Sequence, residues 1–415
     1  MDEFIVSEEF LTEISDLINQ NEIKFLSKKM DIYDIANMYL ENNQSEDPFF
    51  IVNVGDIIRQ YKKWEYFLPR IRPFFAIKCN PDELILKILA RLGCGFDCAS
   101  KNEISKIISF SIDPQNIIYA NPCKMVSQIK FARAHDVDLL VFDSEHELYK
   151  IKLYHSDAKL VLRIKTNDKD SVCRFSCKFG ADLEEIENIL KIAKHLELNV
   201  CGVAFHVGSN CMNSDTYHDS IKNSRQVFEI SKLLGFEMNL LDIGGGFPGI
   251  DSDKVTFEKI AKTINDALDE YFSDIKDLKI IAEPGRFFVS SSHNLLINII
   301  NKKVKISQEN GDKRIIFYIN ESVYSSLNNI IMDHFIINES NFLPFNERNE
   351  KKYKCTIFGP TCDSMDKVTD EILLPDLEIG EYIIVKNMGA YTSAVNSGVE
   401  SFNGFNRAIS RYVLN

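Results

Sequence analysis

The first residue of this chain with evident chemistry is a lysine carried by an apolar run. Lys78 closes Pro73-Phe74-Phe75-Ala76-Ile77-Lys78. An amine held among apolar neighbours loses hydration, which lowers its pKa and frees it for Schiff-base formation. The same position also suits a snorkelling or ion-paired lysine. Leu241-Asp242-Ile243-Gly244-Gly245-Gly246-Phe247-Pro248-Gly249 brings three consecutive glycines, whose backbone N–H groups can approach an anion such as phosphate. Tight strand-to-helix turns use the same residues. Ala282-Glu283-Pro284-Gly285-Arg286 places a carboxylate three residues before a guanidinium. Arg286 suits a phosphate, whereas Glu283 beside one is unfavourable unless a cation lies between, and a protonated pyridine ring fits that gap. In Phe205-His206-Val207-Gly208-Ser209, His206 could stack on such a ring and Ser209 could donate to phosphate, although a satisfied core histidine is the commoner role. Late in the chain, Phe358-Gly359-Pro360-Thr361-Cys362-Asp363 and Met388-Gly389-Ala390-Tyr391-Thr392 carry a thiol, a carboxylate and a phenol. A neighbouring anion raises a thiol's pKa, which suits Cys362 to giving up a proton rather than attacking a carbonyl.

These groups need elements to carry them. Between about 74 and 283, short runs rich in Val, Ile and Phe alternate with longer stretches of helical period. Strands are expected at 74–78, 95–100, 117–121, 139–144, 159–164, 200–207, 238–243 and 279–283, and helices within 81–92, 127–135, 183–196, 215–234 and 257–272. Eight such units predict an α/β fold with a (β/α)8 barrel, an open doubly wound sheet being the alternative. The barrel is favoured because Lys78, Asp97, Asn121, Asp143, Arg163, His206, Gly244–Gly246 and Glu283 all fall at strand ends, the face where barrel enzymes place chemistry. Beyond about residue 290, strand-like runs at 315–319, 353–358 and 382–385 predict a second, mainly β domain. The expected division is an N-terminal segment, 1–46, packing with the β domain, a barrel over 47–290 and the β domain over 291–415. A mobile surface loop is expected over 338–352.

Composition bounds the partners. The 415 residues include 48 Lys and Arg against 61 Asp and Glu, a net charge of −13, which speaks against nucleic acid and anionic membranes. The acidic start Met1-Asp2-Glu3-Phe4 is no signal peptide and no apolar run approaches a membrane span, so a cytoplasmic protein is expected. Its ten cysteines should then be reduced thiols, and the pairs Cys94/Cys98 and Cys173/Cys177 lack zinc-ribbon spacing, so no metal is expected.

PFFAIKCN, GFDCASKNEI, YANPCK, VLRI, FHVGSNC, LLDIGGGFPG, AEPGRFFV, FGPTCDSMD and NMGAYT, in this order, closely resemble the eukaryotic ornithine decarboxylase family, within the alanine-racemase-like enzymes that use pyridoxal 5'-phosphate. The resemblance spans roughly 35 to 412. It implies that Lys78 binds the cofactor covalently, that Glu283 pairs with its pyridine nitrogen and that His206 stacks on the ring. It implies that Ser209, Gly245, Gly246, Arg286 and Tyr391 hold the phosphate, with Asp97 and Arg163 lining the site and Glu103 behind them. L-ornithine would lose CO2, Cys362 would return a proton to Cα to give putrescine, and Asp333, Asp363 and Tyr324 would read the distal ammonium. The resemblance also implies a head-to-tail homodimer in which Cys362 and Asp363 reach the partner's site, with a cross-dimer ion pair between Lys178 and Asp366. An antizyme-like protein would be a regulatory partner, and a catalytically inactive antizyme-inhibitor-like chain is the alternative reading, as is lysine side activity. Two departures bear on loop geometry. Asn210 replaces a family glycine, at a position where Asn tolerates a left-handed backbone, and Asn320-Glu321-Ser322 replaces Asn-Asp-Gly. The chain stops at Asn415 without the long tail that marks animal enzymes for proteolysis, so tail-directed turnover is not expected.

Overall fold

Eight short strands, each preceded or followed by an amphipathic helix, pair in parallel and close on themselves. They are β1 (Ile71–Ala76), β2 (Gly95–Cys98), β3 (Ile117–Tyr119), β4 (Leu139–Phe142), β5 (Lys159–Arg163), β6 (Asn199–Ala204), β7 (Leu240–Asp242) and β8 (Lys279–Ala282). Neighbours in sequence are neighbours in the barrel, and β8 returns to β1 through Ile280–Ile71, Ile281–Arg72 and Ala282–Pro73. The computed structural model describes residues 7–21, 23–26, 30–41, 46–309, 311–346, 350–395 and 402–415. Among these, Gln60–Lys78 and Asp82–Phe288 form the barrel unit, and 7–59, Cys79–Pro81 and Val289–Asn415 form a second unit. No helix of the described residues is long and apolar enough to cross a membrane.

Inward-facing Phe74, Ile118, Val141, Val161, Ala204, Leu240 and Ile281 fill the barrel, as the closed (β/α)8 geometry demands. The surrounding helices begin where short polar side chains satisfy their free N–H groups. Asp82 accepts from Leu84 and Ile85 at 3.0 and 3.2 Å ahead of the helix Glu83–Arg91, and Thr256 accepts from Lys259 at 3.2 Å ahead of Phe257–Phe272. Ser100 accepts from the Glu103 N–H at 3.3 Å, and the Glu103 carboxylate reaches back to the Ala99 N–H at 2.5 Å, a reciprocal cap. Trp64, the one tryptophan of the chain, is fully buried and donates Nε1–H to the Ile71 carbonyl at 2.9 Å. Its ring lies 4.8 Å from Phe247 and 5.7 Å from both Phe257 and Phe287. This aromatic cluster fixes the segment that follows the glycine run.

The first strand differs from expectation at its end. It stops at Ala76, and Lys78 sits in a single 3-10 turn, Ile77–Cys79. The chain leaves the barrel immediately afterwards, since Cys79–Pro81 belong to the second unit.

That second unit is built on a mixed sheet whose longest strand is His293–Ile306. It pairs antiparallel with Phe49–Asn53, Lys313–Ile319 and Tyr382–Val385, and Tyr353–Phe358 and Lys367–Leu374 extend the sheet beyond Lys313–Ile319. The expected start of the barrel at residue 47 is therefore corrected. Phe49-Phe50-Ile51-Val52 is buried on both faces between His293–Ile306 and Ile409–Leu414, and the division falls between Arg59 and Gln60. At the other end it falls between Phe288 and Val289. The short strand Lys24–Phe25 pairs with Ile409–Leu414, and the helix Ile32–Leu40 buries Ile35 and Ala36 against Phe49, Ile51, Leu296 and Ile384. Within the expected loop 338–352, Phe342–Pro344 is instead a strand paired with Tyr382–Val385, because Phe342 is fully buried; residues 347–349 lie outside the described residues.

Trp64→Ala should destabilise the barrel by about 3–5 kcal/mol, the usual cost of removing a large buried aromatic side chain. A denaturant midpoint followed by circular dichroism should fall accordingly. An unchanged midpoint would remove Trp64 from the barrel's support.

Candidate active site

Three buried carboxyl groups and two cations meet at the carboxyl-terminal end of the barrel. Asp97 lies in β2, Arg163 and Asp242 end β5 and β7, and Glu283 follows β8 directly. Lys78 Nζ forms an ion pair with Asp97 Oδ2. Asp97 is fully buried, and its second oxygen has no hydrogen-bond partner among the described residues. Burial, reinforced by Asp242 and Asp97, holds the Glu283 carboxyl far above the ordinary carboxylate range despite Lys78 and Arg163. Burial also raises Asp242. Burial lowers Arg163, opposed by Glu283, Asp143, Asp97 and Asp242, while its guanidinium lies 5.2 Å from the Phe179 ring.

His206 is held neutral, well below its usual pKa, by burial first and by Arg163 and Lys78. Its Nδ1 accepts the Gly208 N–H at 3.0 Å, which leaves Nε2 to carry the proton. Phe175 presses on its ring edge-on at 5.0 Å. The backbone around Phe175 is fixed by Asp168, whose Oδ2 accepts from the N–H groups of Phe175 and Ser176 at 2.6 and 2.8 Å. No side-chain pattern announces this role, because Asp168 acts through backbone N–H groups.

The glycine run lies against these groups. Gly244 has φ +61 and Gly246 φ +106, conformations that favour glycine. A Cβ at Gly245 would come within 2.7 Å of the Glu283 carbonyl and 2.9 Å of His206 Nε2, so the close approach also demands glycine there. The turn is tied down by Gly244 N–H to Asp242 Oδ1 at 2.8 Å, Glu283 N–H to the Gly244 carbonyl at 2.6 Å, and Tyr217 O–H to the Gly245 carbonyl at 3.1 Å. Among the described residues the N–H groups of Gly245 and Gly246 have no acceptor. Ser209 Oγ accepts from Arg286 Nη2 at 3.0 Å, and Cys211, two residues on, donates its N–H to the Gly246 carbonyl at 2.9 Å. Asn210 adopts φ +54, the left-handed conformation that the family glycine would supply. Donors from Gly245, Gly246, Ser209 and Arg286 thus form an anion cradle, and a buried carboxyl group lacking a matching cation lies beside it. A phosphorylated pyridine fits both. Asp242, quoted within the LLDIGGG run but given no role by sequence reasoning, belongs to this cluster; an acidic residue on the last position of a strand was the available signal.

The remaining expected residues lie in the second unit. Tyr324 O–H donates to Asp363 Oδ2 at 2.5 Å, and the Met365 N–H adds a bond to Asp363 Oδ1 at 3.0 Å. Tyr324 first, then Met365, lowers the Asp363 pKa. Cys362 is exposed, and its N–H donates to Asn403 Oδ1 at 3.1 Å. Asp333 is buried and ends the short helix Asn329–Met332. Tyr391 has φ +56, rare for an aromatic residue, and its N–H donates to the Cys79 carbonyl at 2.9 Å. Asp366 organises the loop before it. It is only 1% exposed, and its carboxylate accepts from Ser322 Oγ and Val323 N–H at 2.9 and 3.0 Å and from Thr361 N–H and Oγ1 at 3.1 and 2.7 Å. Four donors in its own unit hold this carboxylate; the Lys178 ammonium lies 4.9 Å from the Phe179 ring, and the expected ion pair between the two residues involves a second copy of the chain. Ser322, the residue in place of the family glycine, closes this loop by donating to Asp366 and accepting the Tyr324 N–H at 3.0 Å.

Residues 54–290 match the family model of the pyridoxal-dependent decarboxylase, pyridoxal binding domain. The chain is 42% identical to ornithine decarboxylase of Rattus norvegicus over 392 residues, covering 92% of this chain and 84% of the relative. It is 43% identical to antizyme inhibitor 2 of Xenopus laevis over 385 residues, covering 90% and 83%. Among solved structures, arginine decarboxylase of Paramecium bursaria Chlorella virus superposes with a TM-score of 0.85 at 31% identity, covering 92% of this chain and all of that one. With a cradle and carboxyl set that suit pyridoxal phosphate already in place, these likenesses show that the chain belongs to the pyridoxal-phosphate-dependent decarboxylases, in the family of the eukaryotic ornithine decarboxylases.

Proposed function

We propose that this chain decarboxylates L-ornithine to putrescine and CO2, the first step of polyamine biosynthesis, as a cytoplasmic homodimer. The observation that carries the choice of substrate is the Tyr324–Asp363 pair. A carboxylate kept ionised by two donors is a receptor for a distal ammonium. When bound, pyridoxal phosphate supplies an electron sink for the pair left behind as CO2 departs.

The chain's own residues do the rest. Lys78 Nζ is the attachment point, and Asp97 holds it at the barrel mouth. Glu283 keeps a proton on the ring nitrogen, neutral His206 offers a flat face without adding a second positive charge, and Arg163 offsets the surrounding carboxylates. Gly245, Gly246, Ser209 and Arg286, with Tyr391, anchor the phosphate. Cys362 delivers a proton to Cα, and Asp333 and Asp363, with Tyr324, read the far end of the substrate. In this reading Cys362 and Asp363 act in the site of a second copy of the chain, so each active site is shared.

Lysine is one methylene longer than ornithine, a difference worth roughly 1–3 kcal/mol in a fitted slot. Asp363 would repel the distal carboxylate of diaminopimelate, and arginine needs a longer pocket. A second reading, an inactive regulator whose partner is an antizyme-like protein, is favoured by the 43% identity to antizyme inhibitor 2. Against it stands the retention of Lys78, Asp97, Arg163, Glu283, Arg286, Cys362 and Asp363.

At matched concentrations, CO2 release from ornithine should exceed that from lysine by about tenfold or more. Equal turnover would defeat the substrate assignment, and no turnover with either would favour the regulator. Lys78→Ala should abolish the visible absorbance band of the loaded protein and lower activity by about a thousandfold or more; retained activity would remove Lys78 from its role. Lys78→Ala and Cys362→Ala chains, each weakly active alone, should regain about a quarter of wild-type activity when mixed and re-equilibrated, since half of the dimers then hold one intact site. Strictly additive activities would refute the shared site.

A further inference from the structure

The charges buried at the barrel mouth do not balance. Asp97, Asp242 and Glu283 are 0%, 0% and 7% exposed, and the cations facing them are Lys78 and Arg163. His206 is neutral, and Asp143 at the end of β4 is a further acid beside Arg163. Three ionised carboxylates against two cations, away from water, are strongly unfavourable, so the cluster must take up either a proton or another cation. Asp97 is the carboxylate already paired with Lys78. Asp242 and Glu283 remain, at the ends of adjacent strands joined by the register Asp242–Ile281.

Asp242 is held firmly. Its Oδ1 accepts the Gly244 N–H at 2.8 Å, while its buried Oδ2 meets no N–H or O–H donor among the described residues, and its carboxyl lies within hydrogen-bond reach of Glu283. Gly244 in turn accepts the Glu283 N–H at 2.6 Å. One turn of backbone therefore sets the position of both carboxyl groups.

We propose that Asp242 is a positioning residue for Glu283: in the cofactor-free chain the two carboxyls hold one proton between them, and that proton passes to the pyridine nitrogen, facing an ionised Glu283, once the ring is bound. The balance is simple. The carboxyl pair goes from one proton to none, the ring nitrogen gains one, and no bond other than O–H and N–H changes. The site thereby stays near neutrality in both states, whichever amino acid is decarboxylated. Burial raises the proton affinity of both carboxyls, which agrees in direction. A carboxyl whose folded-state pKa is raised stabilises the fold below its unfolded pKa and loses that contribution as pH rises. The cofactor-free chain should accordingly gain most from the cofactor on the alkaline side.

Infrared difference spectroscopy tests this with the full chain, before and after addition of pyridoxal phosphate near neutral pH. The wild type should lose the C=O stretch of one protonated carboxyl, identified by its shift in D2O, when the cofactor binds. Asp242→Asn keeps an oxygen for the Gly244 N–H and removes only the charge, so two carboxylates then face two cations and the difference band should vanish. Glu283→Gln should remove it as well. A wild-type spectrum without the band would overturn the proposal, and so would an Asp242→Asn band of undiminished size, since a residue serving only to hold the glycine turn would leave the proton count unmoved. Because the wild-type spectrum alone can refute the idea, a variant that fails to fold does not shield it.

Discussion

An excess of buried negative charge at the mouth of a barrel is the constraint on which this structure turns. Asp97, Asp242 and Glu283 have been withdrawn from water, at a cost that Lys78 and Arg163 offset only in part. Such an arrangement calls for a further proton or a further cation. In the proposed reading a pyridine ring that carries a proton would supply the missing positive charge, and the glycine turn, Ser209 and Arg286 would hold its phosphate. His206 is held neutral by burial first and by Arg163 and Lys78, and so adds no further cation to the cluster.

The barrel's architecture serves that charge cluster. Parallel strands deliver one polar residue each to a common rim while their interior positions remain apolar. Glycine at 244 to 246 allows the backbone to pass within contact distance of Glu283 and His206, and Trp64 holds Phe247 just beyond. In the second unit, polar loops rather than a rim hold the candidate residues. Asp366 gathers Ser322, Val323 and Thr361 around one buried carboxylate, and the turn so formed presents the Tyr324–Asp363 pair and the exposed Cys362.

Much of this was legible in the chain itself. The eight strands could be read because each is a short apolar run closed by a polar or glycine residue, and the cradle could be read because the three adjacent glycines at one strand end are joined by Arg286 at the next. Legibility failed where partners are distant or are backbone. Phe49-Phe50-Ile51-Val52 reads as a strand of either sheet, and only its pairing with His293–Ile306 assigns it. Asp168 and Asp366 act through N–H groups that no side-chain motif records. Asn210 was readable from conformational preference, and it adopts φ +54, whereas Ser322 replaces a glycine by a different device, a side-chain hydroxyl that closes the loop. Asp242 was visible as a letter in a motif, but its meaning depends on a count of buried charges that requires the fold.

The central claim is that Lys78 is the amine to which pyridoxal phosphate is joined. Borohydride reduction of the protein loaded with the cofactor, followed by proteolysis and mass spectrometry of the peptides, addresses it directly. A phosphopyridoxyl group on the peptide containing Lys78, at near-complete occupancy, is the predicted result. Modification of a different lysine, or none at all under saturating cofactor, would contradict the account.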